Sequence, residues 1–226
     1  MENFIDIRKF QGESCYEINI DGLKRICPLY KIGSEIWIVG NEHICFGTDI
    51  EFTREIGRKL AEKLDRLKAD CILTAEAKSL CIAYEVAQNL GHQNFAIARK
   101  SIKPYNTDYI FTEINSITSA KKEILYLDEL NISRIKGKKI ILLDDVISTG
   151  STMLGLLELT KKSGARVCCF AAIWLEGTWP FDQFTKEFKT GSLIYMDILP
   201  IFASGNTYKE LYTKKISIEN KMKHYQ

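Results

Sequence analysis

The chain has 226 residues, 46% of them hydrophobic and 27% charged, enough for one compact domain to bury a sizeable core. Its 31 Lys and Arg against 29 Asp and Glu leave a net charge of +2, so nothing global draws it to nucleic acid or an anionic membrane, and any anion site must be local. The longest apolar run, residues 167–175, falls far short of the roughly 20 residues of a membrane-spanning helix. Residues 1–6 lack the basic-then-apolar order of a signal peptide, and a soluble cytoplasmic protein is expected.

Seven cysteines, with Cys71, Cys81, Cys168 and Cys169 inside apolar segments, fit a reducing compartment. There is no Cys-x-x-Cys, and His43, His92 and His224 stand apart, so a zinc site has nothing to build on.

In chain order, residues 16–46 read as a small antiparallel layer. Four short apolar stretches are punctuated by the turn pairs Asp21-Gly22, Gly33-Ser34 and Gly40-Asn41. From Thr48 the period changes. Thr48 and Glu51 have capping-box spacing, and Phe52, Ile56, Leu60, Leu64 and Leu67 then share one face of a helix expected over about 50–67. Apolar strands are expected at 71–74, 95–98, 139–143 and 167–175. Helices are expected around Leu80, Tyr84, Ala87 and Leu90, ending at Gly91, and over 152–162, ending at Gly164. Short continuous apolar strands alternating with amphipathic helices define an α/β doubly wound, mainly parallel sheet.

Residues 101–125 break the rhythm with a polar stretch, which reads as a lid or as a surface hairpin joining Tyr109-Ile110-Phe111 to Ile124-Leu125-Tyr126. After residue 180, a strand is expected at 193–198 and a solvated tail over 214–223. The expected organisation is therefore an antiparallel hood over 1–47, an α/β core over 48–200 with the lid at 101–125, and an extension over 201–226.

The strongest chemical signal is Lys139-Ile140-Ile141-Leu142-Leu143-Asp144-Asp145-Val146-Ile147-Ser148-Thr149-Gly150-Ser151-Thr152. An apolar strand runs into two carboxylates, then a loop of small residues, then a helix. Ligands of open α/β sheets collect at the carboxyl ends of the strands. The 148–152 loop can wrap backbone N–H groups and hydroxyls around an anion at a helix N-terminus, and Gly150 permits a positive φ. Two acceptors beside such a cradle suit a phosphorylated sugar. The spacing and lysine of a Walker A loop are missing, which argues against a nucleoside triphosphatase.

Residues 140–152 closely resemble the phosphoribosyl-pyrophosphate motif of type I phosphoribosyltransferases. The resemblance implies that Asp144 and Asp145 contact ribose hydroxyls, that Val146, Ile147, Ser148, Thr149, Gly150, Ser151 and Thr152 hold the 5′-phosphate, and that Mg2+ binds chiefly to substrate oxygens, touching the two acids indirectly. Glu76-Ala77-Lys78-Ser79 looks like the family's pyrophosphate loop. Ala98-Arg99-Lys100 looks like the Ala-Arg-Lys of adenine and xanthine phosphoribosyltransferases, with Lys103 following in the lid. The resemblance covers residues 44–180 and implies a homodimer binding phosphoribosyl pyrophosphate and a nucleobase.

For the base, it points to Phe46, Glu176 and Trp179, whereas Trp174 reads as core. Xanthine enzymes carry a lysine where Gly177 stands, and the Pro-Gly-Glu of adenine enzymes is missing from the lid, which leaves Glu113 as a weak candidate for a general base. The expected acceptor is a purine, adenine slightly ahead. The alternative is a non-catalytic regulator of the same fold that binds phosphoribosyl pyrophosphate or a nucleotide, although residues 1–43 contain no visible helix-turn-helix.

Overall fold

A computed structural model of the chain describes residues 4–45, 47–104, 107–115, 122–178 and 193–222. In chain order the elements are β1 (Ile7–Lys9), β2 (Cys15–Ile20), β3 (Leu23–Ile32), β4 (Ile36–Val39), α1 (Glu42–Cys45), α2 (Ile50–Asp65), β5 (Cys71–Ala75), α3 (Leu80–Asn89) and β6 (Ala96–Ala98). They continue with β7 (Tyr109–Asn115), β8 (Lys122–Asp128), α4 (Glu129–Ile135), β9 (Lys139–Ile147), α5 (Ser151–Ser163), β10 (Arg166–Glu176), β11 (Leu193–Leu199), β12 (Ile201–Ala203) and α6 (Gly205–Met222).

Among the described residues, the main sheet has five parallel strands in the order β11-β10-β9-β5-β6. Side chains alternate across a strand, so each face of β9 feeds a different core. Ile141 and Leu143 join Phe52, Ile56 and Leu60 of α2 and Val86 of α3 on one side. Ile140 and Leu142 join Ile135 of α4 and Met153, Leu156 and Leu159 of α5 on the other. This is the doubly wound α/β arrangement expected from the alternation of elements. Trp174 is fully buried on β10 and stacks on Phe52 at 5.8 Å between ring centroids, so it is a core residue.

The cap of α2 differs from the expected one. Asp49, not Thr48, is the N-cap, and its carboxylate accepts the Phe52 N–H at 3.0 Å. A carboxylate there also answers the helix dipole, which a hydroxyl does less well. Thr48 instead donates to the His43 carbonyl, and Glu51 pairs with Arg25 at 2.8 Å.

A second sheet runs β1-β12-β4-β3-β2. Asp21 and Gly22 both have positive φ in the β2–β3 turn, as a two-residue hairpin loop of this hand requires. Gly40-Asn41 forms no hairpin; it leads into α1, where the Asn41 carbonyl accepts the N–H groups of Ile44 and Cys45. β12 enters this sheet between β1 and β4, so residues distant in sequence complete it.

The tail expected over 214–223 is helical as far as Met222. Its N-terminus is held by Glu35, whose carboxylate accepts from the Thr207 N–H at 3.2 Å and from its hydroxyl at 2.5 Å. Tyr208, Leu211 and Ile218 pack on the core. No helix among the described residues is long and apolar enough to cross a membrane.

The expected hairpin is present, with Phe111 opposite Tyr126 and Ile110 opposite Leu127. Its base is anchored: Leu125, Tyr126 and Leu127 are fully buried, and Gly155 of α5 lets Ile114 and Leu125 approach so closely that a Cβ would lie 2.6 and 2.9 Å from their methyl groups.

Candidate active site

β9 continues past the point where β5 leaves it. The last β5 partner is Leu143, opposite Thr74, whereas β10 stays paired through Ile147. Asp144 and Asp145 therefore lie inside the strand, at the level where the neighbouring chain turns into its loop, the end of an open α/β sheet at which ligands collect. Both acids are buried, and the Asp145 N–H donates to Asp144 Oδ1 at 3.0 Å. Burial, then the charge of Asp145, pushes the Asp144 carboxyl well above the usual range, with Lys100 pulling the other way.

After Ile147, whose side chain is in the core, the chain turns through Ser148, Thr149 and Gly150. Gly150 has φ +80° and caps α5 without a side chain of its own. The Thr149 hydroxyl accepts the Ser151 N–H at 3.3 Å and lies 3.1 Å from Ser151 Oγ. Hydroxyls and the amides of a helix start are thus gathered in one short loop, the composition of a phosphate cradle.

The loop after β5 is pinned from beneath. Thr74 Oγ1 lies 2.8 Å from Ser79 Oγ and 2.7 Å from the Leu143 carbonyl, and Ser79 Oγ lies 2.8 Å from the Ala75 carbonyl. Ser79 is buried, so its hydroxyl holds the loop's shape. The Glu76–Ala77 peptide is cis. Lys78 reaches Glu42 of α1 at 3.1 Å and lies in the field of Asp145.

At the end of β6, Arg99 exchanges two backbone hydrogen bonds with Tyr126, both 2.9 Å. Its Nε is 3.7 Å from Glu76, and the Lys100 ammonium is 3.4 Å from Glu123. Lys103 is partly exposed beyond them.

Glu176 ends β10 and is buried at 6% exposure. Burial pushes its carboxyl up to about 7, against a hydrogen bond from Ser148, with the charge of Asp145 adding to the rise. Glu176 thus shares one group with the 148–152 loop. Two residues, Thr178 beside it and Trp174 beneath, keep buried polar atoms without a hydrogen-bond partner. Phe46 and Trp179 lie outside the described residues.

Sequence reasoning missed Cys45. Burial and the adjacent Asp145 carboxylate raise its thiol, which places α1 directly against the acid pair. A cysteine in an apolar stretch carries no local sign of such a contact. Among the described residues, no cluster of three or more His, Cys, Asp or Glu is arranged to hold a metal.

Two buried acids at the end of β9 and a glycine-containing loop at the start of α5 stand together at the carboxyl end of a parallel sheet, where open α/β folds place their ligands. The family model of the phosphoribosyl transferase domain matches residues 49–183, and the chain belongs to that family. Xanthine phosphoribosyltransferase of Clostridioides difficile is 32% identical over 120 residues, 53% of this chain and 62% of its own length, so the chain spans less than two thirds of that relative. The hypoxanthine/guanine phosphoribosyltransferase of Methanococcus maripaludis is 29% identical over 151 residues, 63% of this chain and 73% of its own. The fold is shared with adenine phosphoribosyl transferase from Trypanosoma brucei in complex with AMP, pyrophosphate and ribose-5-phosphate. That likeness has a TM-score of 0.59 at 18% identity, covering 72% of this chain and 70% of that one.

Proposed function

We propose that the protein transfers the phosphoribosyl group of phosphoribosyl pyrophosphate to a purine base, releasing diphosphate. The observation that carries this reading is the convergence, at one end of the parallel sheet, of the buried Asp144–Asp145 pair, the Gly150 loop at the start of α5 and the Arg99–Lys100 cations. Asp144 and Asp145 accept hydrogen bonds from the ribose hydroxyls, and the amides and hydroxyls of residues 148–152 take the 5′-phosphate. The C1–O bond to diphosphate breaks as a base nitrogen attacks C1, positive charge develops on the sugar, and the N–H proton of that nitrogen leaves to solvent or to the departing diphosphate. Arg99 and Lys100, with lesser help from Lys78 and Lys103, stabilise the negative leaving group. The 101–125 segment acts as the lid that keeps water from the reacting centre.

A magnesium ion would take its ligands chiefly from the hard oxygens of the substrate and meet Asp144 and Asp145 indirectly; among the described residues no cluster of three or more His, Cys, Asp or Glu would hold it by itself. When bound, Mg2+ neutralises diphosphate charge. The resemblance implies a homodimer.

For the acceptor, Glu176 accepts from a purine N–H donor, and adenine's exocyclic amine is the favoured partner. A 6-oxopurine is the second reading, favoured by the names of the xanthine and hypoxanthine/guanine relatives and by the raised carboxyl of Glu176, which when protonated donates to a carbonyl oxygen. The test is turnover with phosphoribosyl pyrophosphate and Mg2+ against separate bases. Tight donor binding with no turnover on any base would support the regulator instead.

A further inference from the structure

The leaving-group side of the site contains a carboxylate where an anion has to bind. Glu76 stands in the loop after β5, and like charge bars it from direct contact with diphosphate. Its polar groups have other work. The Glu76 N–H donates to the Ala98 carbonyl at 3.0 Å, its Oε1 accepts the Lys100 backbone N–H at 2.7 Å, and its Oε2 lies 3.7 Å from Arg99 Nε. From the opposite side, Tyr126 of β8 holds both the N–H and the carbonyl of Arg99. The backbone from Ala98 to Lys100 is thus gripped between one acidic side chain and one strand.

We infer that Glu76 is a positioning residue, not a diphosphate ligand. Through the Lys100 amide and the Arg99 guanidinium, it fixes the peptide that aims both cations at the leaving group. The inference rests on the proposed transferase reading. A hydrogen bond to a charged acceptor at this spacing is strong enough that its loss changes ligand affinity about tenfold.

The test is calorimetric titration of the full chain with magnesium diphosphate, together with steady-state KM values for donor and base, in wild type, Glu76→Ala and Glu76→Gln. The expected result is about a tenfold weaker diphosphate affinity and a correspondingly higher donor KM in Glu76→Ala. The KM for the base should not change, and Glu76→Gln, which keeps the acceptor, should recover most of the loss. A purely structural role would lower the unfolding temperature and the amount of active enzyme without separating the two KM values. Should Glu76→Ala fail to fold, Glu76→Asp, one methylene too short to reach the Lys100 amide, replaces it. Equal affinity in wild type and variant overturns the inference alone, as does a Gln variant as impaired as Ala. A wild type that binds neither diphosphate nor donor overturns the transferase reading and this inference with it.

Discussion

The backbone N–H of Asp145 donates to Oδ1 of its neighbour Asp144 at 3.0 Å, within a strand that buries both side chains. Two carboxylates this close and this dry cannot both carry full charge cheaply, and the raised Asp144 carboxyl expresses that conflict. On the proposed reading, ribose hydroxyls donating to the pair would relieve it.

Asp144→Asn should therefore fold, with a thermal midpoint at pH 8 at or above wild type, because it removes a buried acid that resists ionisation. Turnover should fall by about 100-fold or more, in line with the loss of one preorganised electrostatic contact. Differential scanning calorimetry and a diphosphate-release assay check the two halves. A midpoint well below wild type would mean that the acid stabilises the fold instead.

Glu176 supplies a pH signature. Its carboxyl is raised from 4.5 to about 7 by burial, so the folded state holds a proton that the unfolded chain releases. The stability this contributes is complete below about pH 4.5 and is lost as pH rises through 7, on the order of 3 kcal/mol. Glu176→Gln cannot ionise, and its denaturant midpoint relative to wild type should climb between pH 5 and 8. Parallel pH curves for the two proteins would contradict the assignment.

Much of this site is legible in the sequence because it is local. The strand, the acid pair, the small-residue loop and the start of α5 lie within the single stretch 139–152, and each local preference agrees with its neighbours. What was misread depends on partners far along the chain. Thr48 has the spacing of a cap, yet Asp49 performs it while also pairing with Arg25 from the second sheet at 2.5 Å. The charged run over 214–223 reads as a tail, but as far as Met222 it belongs to a helix that Glu35, on a turn 172 residues before Thr207, holds at its start. Cys45 reaches Asp145 only because β4 and α1 carry it there, which no periodicity encodes.

Gly150 is the position where the loop needs a positive φ, at +80°. Gly150→Ala should cost about 1–2 kcal/mol from the left-handed backbone alone. It should also raise the donor KM, because the strained loop no longer presents its amides together. Chemical denaturation and donor saturation curves measure the two effects.

Thiol accessibility tests the placement of α1. Cys15 is exposed, whereas Cys27, Cys45 and Cys169 are buried, with Cys27 pushed up to about 11 and Cys169 to about 12. At pH 8, iodoacetamide should modify Cys15 within minutes and leave these three intact until denaturant is added, as read by peptide mass spectrometry. Rapid labelling of Cys45 in the native protein would place α1 away from the acid pair.

The central claim is most directly tested by incubating the protein with Mg2+ and phosphoribosyl pyrophosphate against adenine, guanine, hypoxanthine, xanthine, orotate and uracil in turn, following diphosphate release and nucleotide formation. The account predicts stoichiometric nucleotide and diphosphate with a purine, abolished in the double variant Asp144→Asn/Asp145→Asn. Donor binding without turnover on any base, or turnover that survives the double variant, would contradict it.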